Sequence, residues 1–204
     1  MSIVRKVKSV ERLFAQLDAR IATFQSHTHL HCLAGCGHCC TKPDIDASPL
    51  EFLPFAFDLF LKGQAETTLE KLQHGAGAIC IIYAPTTPEN PSKGQCSVYA
   101  YRGLICRLFG YGATRDKHGQ LRLATCRLIK ESQAEFYEQT VTAIQQGLEV
   151  PIFTDYYQKL YQIDMQLGSE LLPVNEAIRS ALETVLHHYA YRPFPKHLRA
   201  KRPK

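Results

Sequence analysis

The sequence predicts a mainly α protein (α+β) with a small, irregular β-containing metal core and helical segments at both ends. Three observations predict it. An apolar stripe at helical spacing runs through the first two dozen residues. All eight cysteines fall between residues 32 and 126, in a stretch broken by glycines, prolines and short apolar runs. The last 78 residues hold no cysteine and read as helices separated by glycine and proline.

Val7, Val10, Phe14, Leu17, Ile21 and Phe24 alternate steps of three and four, which places them on one helical face. This stripe suits packing on the chain's own domain. It also leaves open a dimer through the N-terminal helix. The pattern stops at Ser26, and His27-Thr-His29-Leu-His31-Cys32-Leu-Ala-Gly35-Cys36-Gly37-His38-Cys39-Cys40 follows as a loop. Its glycines let the backbone turn sharply enough to aim several thiols at one centre.

Ser48, Pro49 and Glu51 form a capping-box signature with proline at the first helical position. A helix is expected from there to about Leu61, disturbed at Pro54. A second runs from Ala65 to Gln73, ended by Gly75 and Gly77. Ala78 to Ala84, containing Cys80, reads as a buried strand or extended segment. Pro85, Pro88, Asn90, Pro91 and Gly94 read as a loop. Ser97 to Tyr111 is apolar and aromatic, with Cys96 before it and Cys106 inside it. Asp116 to Gly119 reads as a turn, and Leu121 to Thr125 as a strand that carries Cys126 back towards the others. Helices are expected near Ser132–Gln146, Thr154–Leu167 and Val174–Tyr189. Tyr156, Tyr157 and Tyr161 sit there at core-like spacing. The expected organisation is a cysteine-cluster domain with its N-terminal helix (1–130), a helical segment packed on it (131–191) and a basic tail (192–204).

Charge is uneven along the chain. Of a formal net +5, the tail supplies six basic residues and no acid, while the rest carries 18 basic and 19 acidic residues. The tail motivates a nucleic-acid reading, since lysine and arginine gain phosphate affinity by counterion release. A near-neutral body with no clear reading helix disfavours it. No apolar run is long enough for a transmembrane helix, and the N-terminus lacks a secretory h-region. The expectation is a cytoplasmic protein with no membrane partner, whose thiols are reduced. Clustered cysteines in that setting are ligands or redox groups.

Cys36-x-x-Cys39 folds two sulfurs back onto one metal ion. Cys32 and Cys40 flank it, and Cys80, Cys96, Cys106 and Cys126 follow, so all eight are candidate metal ligands. So many thiolates match soft or borderline acceptors: zinc, iron–sulfur or copper(I). A zinc ion or a cubane cluster takes four thiolates, so eight serve two centres, or one centre plus redox thiols. Cys39 and Cys40 are adjacent and their side chains tend to diverge, so one is expected to bind elsewhere or to remain a redox thiol. His31 could add a nitrogen ligand, but the alternating histidines also suit a helix C-terminus. His38 points away. Arg102, Arg107 and Arg127 stand near cysteines, where positive charge stabilises thiolates; ordinary ion pairing is the competing role. Asp44 and Asp46 suit the start of a helix better than acid–base work. No phosphate-binding glycine loop and no Gly-x-Ser-x-Gly elbow is present.

These motifs together resemble a known family. Cys32-Leu-Ala-Gly-Cys36-Gly-His-Cys39-Cys40, Ser48-Pro-Leu-Glu51, Cys80, Cys96-Ser97-Val98-Tyr99, Arg102-Gly103, Cys106-Arg107-Leu108-Phe109 and Cys126 stand in the order of the CxxCxxCC cysteine-cluster (YkgJ-like) family of zinc- or iron-chelating domains. The resemblance covers about residues 30 to 130. Two positions depart from it: the first cysteine spacing is three residues and not two, and Gly103 stands where the family has proline. The resemblance implies binding of zinc or iron, with an iron–sulfur cluster as one form. One relative with this type of cluster, flagellin lysine N-methylase, makes a metal-dependent protein-modifying enzyme one alternative, and a nucleic-acid-associated zinc protein is another. Catalytic residues, the substrate, and any protein or small-molecule partner stay open at this level.

Overall fold

The computed structural model describes residues 2–195 except 76, 78, 88 and 89; for 90–92 it describes the backbone alone. The apolar stripe forms helix α1 (Ile3–Thr28), which buries Val7, Val10, Leu17, Ile21 and Phe24 in the chain's own core. Ser2 caps its start, and His29 closes its end at φ +57 with its N–H bonded to Gln25 O.

Ser48 starts the next helical stretch, but as a 3-10 turn, Pro49–Phe52, that passes into α2 (Leu53–Lys62). Pro54 lies in the first turn of α2, where its missing N–H costs no intrahelical bond. The expected disturbance is therefore this junction and not a kink. Helix α3 (Ala65–Gln73) has the predicted limits.

Two expectations in the middle of the chain are corrected. Only the end of Ala78–Ala84 is a strand: Ala78 lies outside the described residues, Cys80–Ile82 lie in a turn closed by Tyr83 N–H to Cys80 O at 2.9 Å, and Tyr83 and Ala84 begin β2. The proline-rich stretch after it, apart from Pro88, which lies outside the described residues, is not a loop but a hairpin, β2 (Tyr83–Thr87) with β3 (Asn90–Cys96). Proline is tolerated because both strands are edges, so its lost donor interrupts no central ladder. The register shifts between Pro85 and Thr87, as a broken ladder should.

Helix α4 (Leu104–Leu108) carries Cys106. The predicted turn at Asp116 joins β4 (Gly112–Arg115) to β5 (Leu121–Ala124), with the Asp116 carboxylate accepting from the N–H groups of His118 and Gln120. Helices α5 (Arg127–Ser132), α6 (Ala134–Gln145), α7 (Phe153–Ile163), α8 (Met165–Ser169) and α9 (Val174–Tyr189) complete the chain. The break between α7 and α8 falls at Asp164, whose carboxylate caps Leu167 N–H and pairs with Lys6. A two-residue ladder that periodicity cannot signal joins β1 (Asp46–Ala47) to β6 (Leu172–Pro173). Asp46 thus lies in a strand before the capped turn. Among the described residues the architecture is mainly α with three small antiparallel strand pairs.

The core lies where α9 packs on α2 and α3 and where α1 packs on α2, α4, α6 and α7. Ala177, Ile178, Ala181, Leu182 and Val185 give α9 a fully buried stripe. Tyr156 is buried and Tyr157 packs on the core, while Tyr161 is partly exposed. The Phe194 ring packs tilted against Phe60 with centroids 5.2 Å apart, and the basic tail from 196 onwards lies outside the described residues.

Candidate metal centre

The cysteine loop is built on the β2–β3 hairpin. Gly35 (φ +67) and Gly37 (φ +54) take left-handed turns, and Gly94 N–H donates to Gly35 O at 3.1 Å. Gly37 lies so close that a Cβ there would meet Gly94 O and the Tyr83 ring at 2.5 Å. Backbone thus packs on backbone, which only glycine permits. A 3-10 turn, His38–Thr41, then presents Cys39 and Cys40. Cys40 O accepts from Cys80 N–H at 3.2 Å, and Cys96 pairs with Tyr83 across the hairpin. This brings Cys40, Cys80 and Cys96 to one end of the hairpin, facing Cys106 on α4.

The other side of the site is assembled from residues that sequence reasoning missed. Gln133 clamps the His31 backbone, accepting its N–H at 2.9 Å and donating to its carbonyl at 2.7 Å. The Tyr111 hydroxyl accepts Cys32 N–H at 2.8 Å. Gly110 N–H bonds Ala124 O at 2.7 Å, so Tyr111 is held beside the segment that enters Cys126. The Cys126 sulfur caps α5, accepting from Ile129 N–H at 3.4 Å. In the first turn of α9, Asn175 donates to Gly77 O and Ile79 O and accepts from Ile81 N–H, all within 3.0 Å. It therefore fixes the segment bearing Cys80. The only cue in the sequence was polar side chains on otherwise amphipathic helices, which does not single out Asn175 or Gln133.

All eight cysteines are free thiols. Cys39 and Cys40 do not diverge: the Cys40 thiol hydrogen-bonds Cys39, which lowers the Cys39 pKa and raises that of Cys40. Charge on Cys39 acts in turn on Cys32, Cys80, Cys96 and Cys106. Burial, and then the charges of Cys36, Cys39 and Cys126, push Cys32 up to about 11. Burial also pushes Cys80 up to about 11, and raises Cys106, to which the Glu51 carboxylate adds. Packed thiols resist ionising together unless a cation offsets their charge.

The arginines divide by role. Arg107 is buried and fully engaged: it pairs with Asp18, donates to Ala100 O and Arg102 O, and stacks on Phe14. Arg102 also pairs with Asp18, at 3.4 Å, and lies over Tyr99; its charge favours ionised Cys96 and Cys32. Arg127 makes an exposed pair with Glu131. The histidines before Cys32 are used locally. His27 Nδ1 meets Thr23 O at 2.7 Å, His29 stands against Phe136, and His31 Nδ1 meets the Gln25 amide at 3.3 Å.

Glu51 fixes the floor. One carboxylate oxygen accepts from Ser48 N–H and Ser48 Oγ, and the other accepts Ile105 N–H at 3.2 Å. The capping residue of one turn thereby caps the helix that carries Cys106. Gly103 has φ −64, a value proline also holds, but a Cβ there would meet Glu51 Oε2 at 2.9 Å. Glycine at this position makes room for the carboxylate.

Among the described residues, no three His, Cys, Asp or Glu side chains already close round a common point as a ligand shell. The donor chemistry nevertheless fits zinc or iron: the donors are thiols, from five separate stretches of chain, within electrostatic reach of one another. Two buried polar atoms also lack partners among the described residues, Arg102 Nε and Thr125 Oγ1. Both belong to residues beside the thiols, and a metal-bound thiolate is an acceptor for such donors. A concavity of about 370 Å³ between α1 and α7 is lined by Arg20, His27, Glu149 and Lys159 and by no cysteine. Arg20 and Glu149 pair at its rim, and it is separate from the thiol chemistry.

No curated protein and no solved structure shows significant similarity to the chain. A family profile, described as "Putative zinc- or iron-chelating domain", matches residues 31–142, more than half of the chain and every one of its cysteines. With the cysteine order and the gathered thiols already in place, the chain belongs to the CxxCxxCC family of zinc- or iron-chelating domains.

Proposed function

We propose that the chain binds zinc or iron through thiolates of its cysteine cluster, iron being held as an iron–sulfur centre. The observation that carries this reading is that the fold gathers thiols from distant stretches of chain: the 32–40 loop is bonded to the hairpin through Gly35 and Gly94, Cys80 N–H donates to Cys40 O, Cys96 lies opposite Tyr83 in the hairpin, and Cys106 lies in the helix capped by Glu51. Thiols brought this close from distant parts of the sequence repel one another once ionised, and a bound cation reverses the sign of that interaction. When bound, zinc supplies a closed tetrahedral anchor or a Lewis acid, and an iron–sulfur centre supplies electron transfer. The chain's own residues gather the sulfurs, exclude water beneath Cys106 and place the Arg102 charge beside Cys96 and Cys32.

Anaerobic, chelator-free purification tests this, followed by metal analysis, acid-labile sulfide and a visible spectrum. Stoichiometric zinc in a colourless protein supports a zinc centre. Iron with sulfide and absorption near ~400 nm supports a cluster. A protein that holds neither metal, and takes up neither Zn(II) nor Fe(II) on reconstitution, overturns the reading.

A further inference from the structure

Cys32 is the one exposed cysteine of the eight, and its spacing to Cys36 is where the chain departs from the family pattern. Its Sγ makes a long contact to the Leu33 carbonyl, at 3.9 Å, in which only a protonated thiol can donate. Its backbone N–H donates to the Tyr111 hydroxyl at 2.8 Å. Tyr111 is only 8% exposed and is fixed without help from Cys32: its N–H donates to Leu108 O at 2.9 Å, and Gly110 before it donates to Ala124 O at 2.7 Å. A phenol oxygen accepts and donates at once. Cys32 N–H uses the accepting side, whereas no acceptor among the described residues takes the Tyr111 proton. A buried hydroxyl proton calls for an acceptor. The Cys32 sulfur, on the residue that the hydroxyl already binds, becomes one when it ionises.

Resting on the thiolate reading above, we infer that Tyr111 is a positioning residue of the metal centre: with Cys32 as a ligand, the Cys32 sulfur leaves Leu33 O and accepts the Tyr111 O–H. On ligation the Cys32 S–H bond breaks, the proton passes to water and the sulfur keeps the electron pair for its bond to the metal. A sulfur without that proton is repelled by the Leu33 carbonyl, and rotation about the Cα–Cβ bond exchanges that contact for the hydroxyl. The hydroxyl then holds one residue at two points, accepting from its N–H and donating to its sulfur. That fixes a ligand at the exposed edge of the cluster which the longer spacing would otherwise leave loose.

The test uses the full-length chain loaded with Co(II), a coloured stand-in for zinc, in the natural protein and in the variants Tyr111→Phe, Gln133→Ala and Cys32→Ser. Tyr111→Phe is expected to weaken retention against a chelator by about 10–100-fold. It should also move the thiolate-to-Co(II) charge-transfer band to lower energy, because a sulfur that loses a hydrogen bond holds its lone pairs less tightly. Gln133→Ala frees the adjoining His31 backbone, whose N–H and carbonyl it binds, and removes no donor to sulfur. It is expected to speed release and leave the band in place. Cys32→Ser is expected to lower the band's intensity, and adding Tyr111→Phe to it should shift the band no further. This exposed substitution reads out the inference even where Tyr111→Phe does not fold. An unmoved band in Tyr111→Phe, or natural affinity and band in Cys32→Ser, overturns the inference and leaves metal binding standing. A natural protein that takes up neither Co(II) nor Zn(II) overturns the thiolate reading, and this inference with it.

Discussion

Gly35 and Gly37 share a left-handed backbone, yet they differ in what surrounds them. A Cβ at Gly35 would find only Thr86 Oγ1, at 3.9 Å; at Gly37 it would strike Gly94 O and the Tyr83 ring. We predict that Gly35→Ala costs about 1 kcal/mol, the ordinary price of that backbone. Gly37→Ala should cost roughly 2–4 kcal/mol, because the loop must also lift off the hairpin. Urea unfolding of both variants checks this, and equal losses would refute the packing argument. Glu51 gives a second prediction. Burial pushes its pKa from 4.5 up to about 7. The folded state therefore binds the proton more tightly, so stability is fully present below pH 4.5 and falls as pH rises through about 7. The fall amounts to up to roughly 3 kcal/mol. Glu51→Gln should flatten that slope in the metal-free protein while costing about 1–3 kcal/mol for the lost acceptor. Denaturation measured across the window decides it; an unchanged slope would assign the dependence elsewhere. At this scale the sequence showed the eight thiols and the Ser48–Glu51 cap, since both are local patterns. It could not show that the second Glu51 oxygen caps α4, because 54 residues separate the partners.

The elements that were legible were those with a period. Helices α1, α3 and α9 follow from their stripes, and the β4–β5 hairpin follows from a turn between short apolar runs. The β2–β3 hairpin was hidden because its prolines and glycine read as loop punctuation, and its edge position became apparent only in three dimensions. The β1–β6 ladder was hidden because two residues carry no period. Hidden too was the work of the cysteine-free helices: α9 uses Asn175 to hold the Cys80 segment, and Gln133, before α6, holds the Cys32 segment. These helices are part of the thiol cluster's frame. We predict that Asn175→Ala, which removes three hydrogen bonds, destabilises the protein by about 1–3 kcal/mol. It should also speed metal loss, whereas Asn175→Asp, which still accepts from Ile81 N–H, should lie between the two. Chelator-driven release kinetics read this out. If Asn175→Ala lowered stability but left release unchanged, α9 would support the fold alone.

At the scale of the molecule, the apolar core and the thiol cluster are adjacent but are stabilised differently. The contacts of α1, α2, α7 and α9 bury a continuous core rich in leucine, isoleucine, valine and phenylalanine. The segments 31–42 and 79–97 rest on glycine turns, one irregular hairpin and a few side-chain clamps. A metal ion that binds the folded arrangement more tightly than the dispersed thiols stabilises these segments by mass action. Removing it should therefore act regionally. We predict that the metal-free protein keeps its far-ultraviolet helical signal and a cooperative unfolding transition. Amide exchange should accelerate by an order of magnitude or more in 31–42, 79–97 and 102–106, while the amides of α1, α2 and α9 keep their protection. Hydrogen exchange on loaded and stripped protein, both reduced, measures this directly. Uniform loss of protection would mean that metal and core form one cooperative unit, and that the helical ends cannot stand without the centre they frame. Selective loss would mean that the helices form a preformed scaffold on which the thiol segments close as metal arrives.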